Sequence, residues 1–559
     1  MNKKHIVIIL LFSLLTAKFT FAQTPESRRT NENQVFQFMQ SGTCTAWPDS
    51  SKTNATLYLW VPEQCKKLRG LVIMCGNVPE HLLVGHAAIR KACASNDLGI
   101  IWSTPGFMNL RKSVKNGKAL NMALEYKTTV DFLQQLLNEL AEKSGYAEVA
   151  TVPWLPMGES GNMLMVDALM EQSPDRCIAG IFIKNNHIQP HDRTVPTLVA
   201  FGTAQEWGQD KSDIRTNWCN VKEEYDKILN ERKQNPNWPL SYIIDGSSGH
   251  FDCSEKLTLY FAKYIHLIAK ARLSDDGSVK LKSLDMTKGY LADMPVPGHE
   301  NQSVIACADA KTKAQSYPWF LDKASVLEAQ SFAAINWKAS TQIPAFLTDS
   351  GKVAPFILGG ISKLTPSDMG DDGITFSVKP VLLEKIPANF AIGAGEKLAK
   401  TGETPSLEWL CGQYKPVGNN KFRIALDRTW LYNSNYLGVR IGGNDSVRTI
   451  FQPCALTLSR NNTGKPQKIT FEKIQDAVIG TKSIQLVATS DSGLPVDFYV
   501  VVGPAVVENG NLIFTPIPPK AKFPITVTVA AWQWGRAKEP KVKMAEIVRQ
   551  TFSIVQRNR

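Results

Sequence analysis

The stretch that most constrains this chain runs from Ala150 through Trp154, Leu155 and Met157 to Gly158-Glu159-Ser160-Gly161-Asn162, then on through Met163-Leu164-Met165-Val166. An apolar, strand-like run turns within a few residues at one serine and continues as an apolar helix, so both flanking elements belong in a core. Such a turn brings two backbones close together, and Gly158 and Gly161 supply the small residues it needs on either side of Ser160. Asn162 stands where a second framing glycine would be expected. The same five residues also suit a serine that merely caps a core helix. The rest of the chain has to separate the two readings.

At 559 residues the chain exceeds the size at which one core stops growing, so two to four domains are expected. Residues 1–22 combine Lys3 and Lys4, an apolar run from Ile6 to Thr16, and Ala22 before Gln23, the pattern of a cleavable secretory leader. No cysteine follows Ala22, so no lipid anchor is expected. Beyond it no apolar stretch reaches the roughly 20 residues that span a bilayer. The mature chain is therefore expected to be soluble and outside the cytoplasm, periplasmic or secreted.

The formal charge is +12, and losing Lys3, Lys4 and Lys18 with the leader leaves about +9. The basic residues are scattered and no nucleic-acid motif accompanies them, so no nucleic-acid partner is expected. The sign would suit an acidic polysaccharide. None of the ten cysteines forms a C-x-x-C pair. Zinc is not expected, and an oxidising compartment permits disulfides whose pairing the sequence leaves open.

Strand patterns at Thr56–Pro62, Gly70–Cys75, Leu98–Pro105, Cys177–Ile183, Pro196–Gly202 and Leu240–Asp245 alternate with helical patterns at Pro79–Ala94, Thr128–Lys143, Gly161–Glu171, Asp213–Gln234 and Glu255–Arg272. This rhythm predicts an α/β domain over 30–285, a mostly parallel sheet with helices on both faces. Past Ser274 the rhythm changes to short apolar runs among Gly, Pro and Asn, predicting all-β C-terminal domains: a β-rich one over 300–465 and a β-sandwich over 466–559. Trp532 and Trp534 would share one strand face, suited to a sugar platform but more often used for packing.

Set in this rhythm, Gly158-Glu-Ser160-Gly-Asn162 resembles the nucleophile elbow of the α/β-hydrolases. The resemblance implies a triad in the chain order serine, acid, histidine. His250, in Asp245-Gly-Ser-Ser-Gly-His250, lies between the last strand and the last helix, where that family keeps its base. The acid is expected after Gly202, with Glu206 first and Asp210 and Asp213 behind it, since Gln205 stands where an aspartate is common. Oxyanion donors would be Gly161 together with Gly76 and Asn77, in the loop after Cys75.

His187 and His191, in another loop on the active side, and Trp207 are candidate substrate contacts. Their spacing argues against a metal, and no cofactor is implied. Ser492-Gly-Leu-Pro-Val496, Gly503-Pro-Ala505 and Val527-Thr-Val-Ala530 resemble bacterial Ig-like modules of secreted proteins. Together these features imply a secreted serine esterase whose partner is an ester-bearing carbohydrate or another small ester. The alternatives are a peptidase of the same fold and a catalytically silent glycan- or surface-binding protein.

Overall fold

In the computed structural model the described residues are 34–44, 53–105, 114–115, 118–119, 122–184, 193–204, 221–300, 302–357, 360–387, 395–430 and 434–557. Eight strands form the largest sheet: β1 (Phe38–Cys44), β2 (Thr53–Trp60), β3 (Gly70–Cys75), β4 (Leu98–Ser103), β5 (Trp154–Glu159), β6 (Gly180–Ile183), β7 (Thr197–Ala204) and β8 (Leu240–Gly249). Their order is β1-β2-β4-β3-β5-β6-β7-β8. β1 and β2 pair antiparallel with each other, and β2 pairs antiparallel with β4; every other pairing is parallel. Six helices accompany the sheet: α1 (Val78–Leu83), α2 (Ala87–Ala94), α3 (Met122–Ser144), α4 (Met163–Gln172), α5 (Val221–Gln234) and α6 (Glu255–Arg272).

β3, β4, β5 and β6 are buried at every residue, as continuous apolar runs require when helices cover both faces of a parallel sheet. α2 packs against α6 and α3 against α4. The expected mostly parallel sheet with helices is therefore present, and it has the architecture of an α/β-hydrolase-like domain. β1 was not expected, because an edge strand reading Phe-Met-Gln-Ser-Gly-Thr-Cys, half exposed, carries no apolar period. The single helix expected over Pro79–Ala94 is two, broken at Gly85-His86, where the His86 imidazole caps α2 by accepting the Ala88 N–H. The last strand runs four residues past Asp245, through a register shift, to Gly249.

Beyond residue 286 the described residues are β-rich, with one α-helix among them, α7 (Lys323–Ala333), that the apolar pattern did not suggest. A five-stranded sheet is built from β9 (Phe356–Ile357), β10 (Ile361–Leu364), β11 (Ser406–Cys411), β12 (Tyr436–Ile441) and β13 (Ile450–Leu456), in the order β9-β10-β13-β12-β11. Near the C-terminus, β14 (Ala477–Val478), β15 (Asp497–Val502), β16 (Ile525–Trp532) and β17 (Val548–Val555) form a sheet ordered β14-β17-β16-β15. Within this region Ser483–Gln485 and Ala488–Ser490 are two separate short strands.

Trp532 and Trp534 are both buried, in a core they share with Phe346, Phe376 and Leu437, so the packing use of these tryptophans is realised. Among the described residues nine cysteines are free thiols, eight of them buried. No helix among the described residues is long and apolar enough to cross a membrane.

Candidate active site

β5 delivers its last residue, Glu159, to the carboxyl end of the sheet, and the chain reverses at Ser160 with φ +51°. Positive φ in a serine is a strained backbone state, sustained only where the surroundings dictate it. One surrounding feature is Gly158, where a Cβ would sit 2.6 Å from the Asn162 carbonyl oxygen. A short 3₁₀ turn, Ser160–Asn162, leads directly into α4. Ser160 is thus at an elbow, with the N-terminal ends of two helical segments beside it.

Asn162 earns its place through its side chain. Its Nδ2 donates to Glu80 Oε1 at 2.9 Å, and the same oxygen accepts the Glu159 N–H at 2.8 Å. A glycine at this position could not make that link between the elbow and α1. Glu80 is wholly buried, and its Oε2 has no hydrogen-bond partner among the described residues. Burial pushes its carboxyl up to about 7 against the opposing pull of the two hydrogen bonds, so near neutrality it carries a proton part of the time.

His250 follows β8 and is nearly buried, with Nε2 2.8 Å from Ser160 Oγ. The same nitrogen lies 3.3 Å from Glu159 Oε1. Glu159 is itself fully buried, and Asn77 Nδ2 donates to both its carbonyl oxygen, at 3.3 Å, and its carboxylate. The imidazole therefore faces the serine and a carboxylate together. Beneath the loop that carries it, the buried Lys184, just past the end of β6 with φ +53°, reaches Asp245 Oδ2 at 3.3 Å and Ser248 Oγ at 2.5 Å. Thr203 adds a hydrogen bond to the Gly246 carbonyl at 3.0 Å.

Gly76 and Asn77 lie after β3, as expected, with their backbone hydrogens already engaged. The Gly76 N–H donates to Ser103 O at 2.8 Å and the Asn77 N–H to Cys75 O at 3.1 Å. The Asn77 side chain caps α1 through the Val78 N–H while holding Glu159. Gly161 follows the serine directly, at the start of the helical turn. Glu206, Asp210, Asp213, His187, His191 and Trp207 lie outside the described residues.

Sequence patterns bring Ser160 and His250 to notice, and the fold brings them together. Glu80, Asp252 and Arg440 escape such reading. Glu80 begins an apolar helix as an ordinary first-turn acid, and the partners of the other two are far away in sequence.

The sheet order and the elbow together define an α/β-hydrolase-like fold with a β-rich extension, in which Ser160 and His250 are brought into contact. No protein-family model and no curated protein matches the chain. Among solved structures, a poly(3-hydroxybutyrate) depolymerase from Bordetella parapertussis is 14% identical with a TM-score of 0.29, covering 44% of this chain and 96% of its own. An S-formylglutathione hydrolase from Staphylococcus aureus is 11% identical with a TM-score of 0.26, covering 42% and 100%. A siderophore hydrolase from Aspergillus nidulans is 9% identical with a TM-score of 0.29, covering 42% and 95%. Likenesses at this level carry no argument about substrate.

Proposed function

We propose that this protein is an exported serine esterase that removes acetyl or methyl-ester groups from a polysaccharide, with Ser160 as nucleophile, His250 as base and Glu206 as the orienting acid. The observation that carries the reading is the 2.8 Å contact between His250 Nε2 and Ser160 Oγ, with the serine held at φ +51° at the carboxyl end of a parallel sheet. A serine hydroxyl is a weak nucleophile alone, and a base at hydrogen-bond distance is what activates it.

In this mechanism His250 Nε2 takes the Ser160 proton as Oγ attacks the ester carbonyl. The oxyanion meets the Gly161 N–H and the positive end of the helical turn. Collapse expels the alcohol, which takes the proton from His250, and leaves an acyl group on Ser160. His250 then draws a proton from water, hydroxide attacks the acyl carbon, and the released serine oxygen recovers the proton. Glu159, 3.3 Å from Nε2, adds negative charge beside the imidazolium that forms in both halves of the cycle.

Release of p-nitrophenol from p-nitrophenyl acetate tests the reading. Ser160→Ala should lower kcat by at least about 10³-fold, and equal rates in variant and wild type would overturn it. Glu206→Gln and Asp210→Asn in the same assay place the acid, since one of them should show a severe loss. Acetate or methanol released from acetylated and methyl-esterified polysaccharides identifies the ester.

The peptidase alternative has one supporting observation: the β-rich region reaches the base loop, with the Tyr436 ring 5.1 Å from that of Phe251. Such a wall favours short substrates, and faster turnover of short peptidyl p-nitroanilides than of any ester would select this alternative.

A further inference from the structure

The base loop is held from outside its own sheet. β12 lies between β11 and β13, with Arg440 opposite Ser406 on one side and Phe451 on the other. Side chains alternate along a strand, so Tyr436, Gly438 and Arg440 share one face. Gly438 has to be glycine, because a Cβ there would lie 2.0 Å from Cζ of the Phe451 ring. That ring fills the space and lies against the Arg440 guanidinium, 4.8 Å from its centroid.

So supported, Arg440 makes a two-pronged contact with Asp252: Nη2 donates to Oδ1 at 2.7 Å and Nη1 to Oδ2 at 3.1 Å. Its Nε donates to Glu408 Oε1, on β11, at 2.6 Å. Asp252 is 1% exposed and lies two residues beyond the base. The residue between them, Phe251, packs its ring edge-on to His250, 4.9 Å between centroids, and tilted against Tyr436, 5.1 Å away. Three consecutive residues are thus constrained: His250 meets Ser160, and each of the next two is held by a residue of β12.

We propose that β12 is a positioning element for the base, in which Arg440, through its fork on Asp252, sets the distance and direction of His250 toward Ser160. A buried ion pair is weak evidence for stability, because desolvation cancels much of its attraction and an apolar pair would pack as well. Its distinctive property is directional. A planar guanidinium on a carboxylate fixes both partners in one plane, which an apolar contact does not do. Asp252 also feels Lys184 from the sheet side, so the loop is drawn between a cation beneath it and a cation of the β-rich region. The β-rich region is on this view part of the catalytic apparatus.

The inference rests on the serine–histidine reading, and the test separates their failures. Full-length wild type, Arg440→Gln, Arg440→Lys and the double variant Arg440→Gln/Asp252→Asn are compared for p-nitrophenyl acetate hydrolysis, cooperative thermal unfolding and hydrogen exchange of the peptide 246–253. The double variant removes the Asp252 charge together with its partner and leaves Glu408 as the carboxylate that loses a donor, so it serves where Arg440→Gln alone does not fold.

Arg440→Gln and the double variant should lose about 10²-fold in kcat with KM within about twofold, the cost of a misplaced catalytic group. Arg440→Lys, which keeps the charge without the fork, should recover part of the loss. Exchange over 246–253 should accelerate by about tenfold while the rest of the large sheet stays protected. A cooperatively folded Arg440→Gln or double variant with wild-type kcat would overturn the proposal. Should wild type itself prove inert toward every ester and peptide, the catalytic reading fails, and unchanged exchange over 246–253 would then overturn the positioning role independently.

Discussion

Asn162 departs from the simple elbow pattern, and Glu80 explains the departure. The two form a buried bracket behind Ser160, with Glu80 Oε1 accepting from Asn162 and from the Glu159 backbone. Asn162→Gly restores the regular pattern yet should destabilise the protein by about 1 to 3 kcal/mol, since it strips a donor from a buried carboxyl; urea unfolding measures this. Glu80 also predicts a pH dependence. Its folded value of about 7 lies above its ordinary value of 4.5, so its contribution is fully present below about pH 4.5 and is lost as pH rises through 7. Across that window Glu80→Gln should gain on wild type by on the order of 3 kcal/mol, read as the difference between their unfolding free energies at pH 4.5 and pH 8. On the proposed mechanism Glu159 acts on the rate, so Glu159→Gln should lower kcat by roughly 10- to 100-fold with little change in unfolding, because it removes a carboxylate beside the reacting nitrogen.

At the scale of elements, the elbow depends on how closely β5 approaches the turn into α4. Gly158→Ala would drive a methyl into the Asn162 carbonyl, 2.6 Å away and part of the backbone, so the turn must open. The expected result is loss of both esterase activity and cooperative unfolding, measured side by side. The elements themselves are largely legible in sequence. Fully buried strands such as β3 and β5 are unbroken apolar runs, and Ser160 and His250 sit in small-residue turns at the ends of such runs. Their supports are less legible, because Asp252 and Arg440 are each ordinary surface-type residues in their own neighbourhoods and acquire meaning only when β12 reaches the base loop. The break at Gly85-His86 was hidden in the same way, since α1 and α2 follow one another in sequence and differ in what they pack against, α1 meeting β11 and α2 meeting α6.

At the scale of the whole molecule, the β-rich part is less divided than its sequence rhythm suggests. Trp532, Trp534 and Tyr499 pack in one core with Phe346, Phe376 and Leu437, across the boundary expected near residue 465. Calorimetry should therefore give no separate transition for residues 466–559, and Trp532→Ala should cost about 3 to 5 kcal/mol and lower the melting of the whole β-rich part. The far end of the chain also returns to the α/β domain. Tyr146 Oη accepts the Lys520 N–H at 3.2 Å, Lys522 donates to Ser144 O at 2.9 Å, and Phe36 pairs with Gly503. These contacts join regions that no local pattern connects, which is why domain limits are harder to read than the domains themselves.

The separation of Asp252 from Arg440, 188 positions along the chain, also has a consequence in time. A ribosome adding about 5 to 20 residues per second needs roughly 10 to 40 s to travel that far. Throughout that interval the nascent chain carries its serine and its histidine without the strand that positions the histidine. Competence would thus arrive late in synthesis, after most of the polypeptide has already been made.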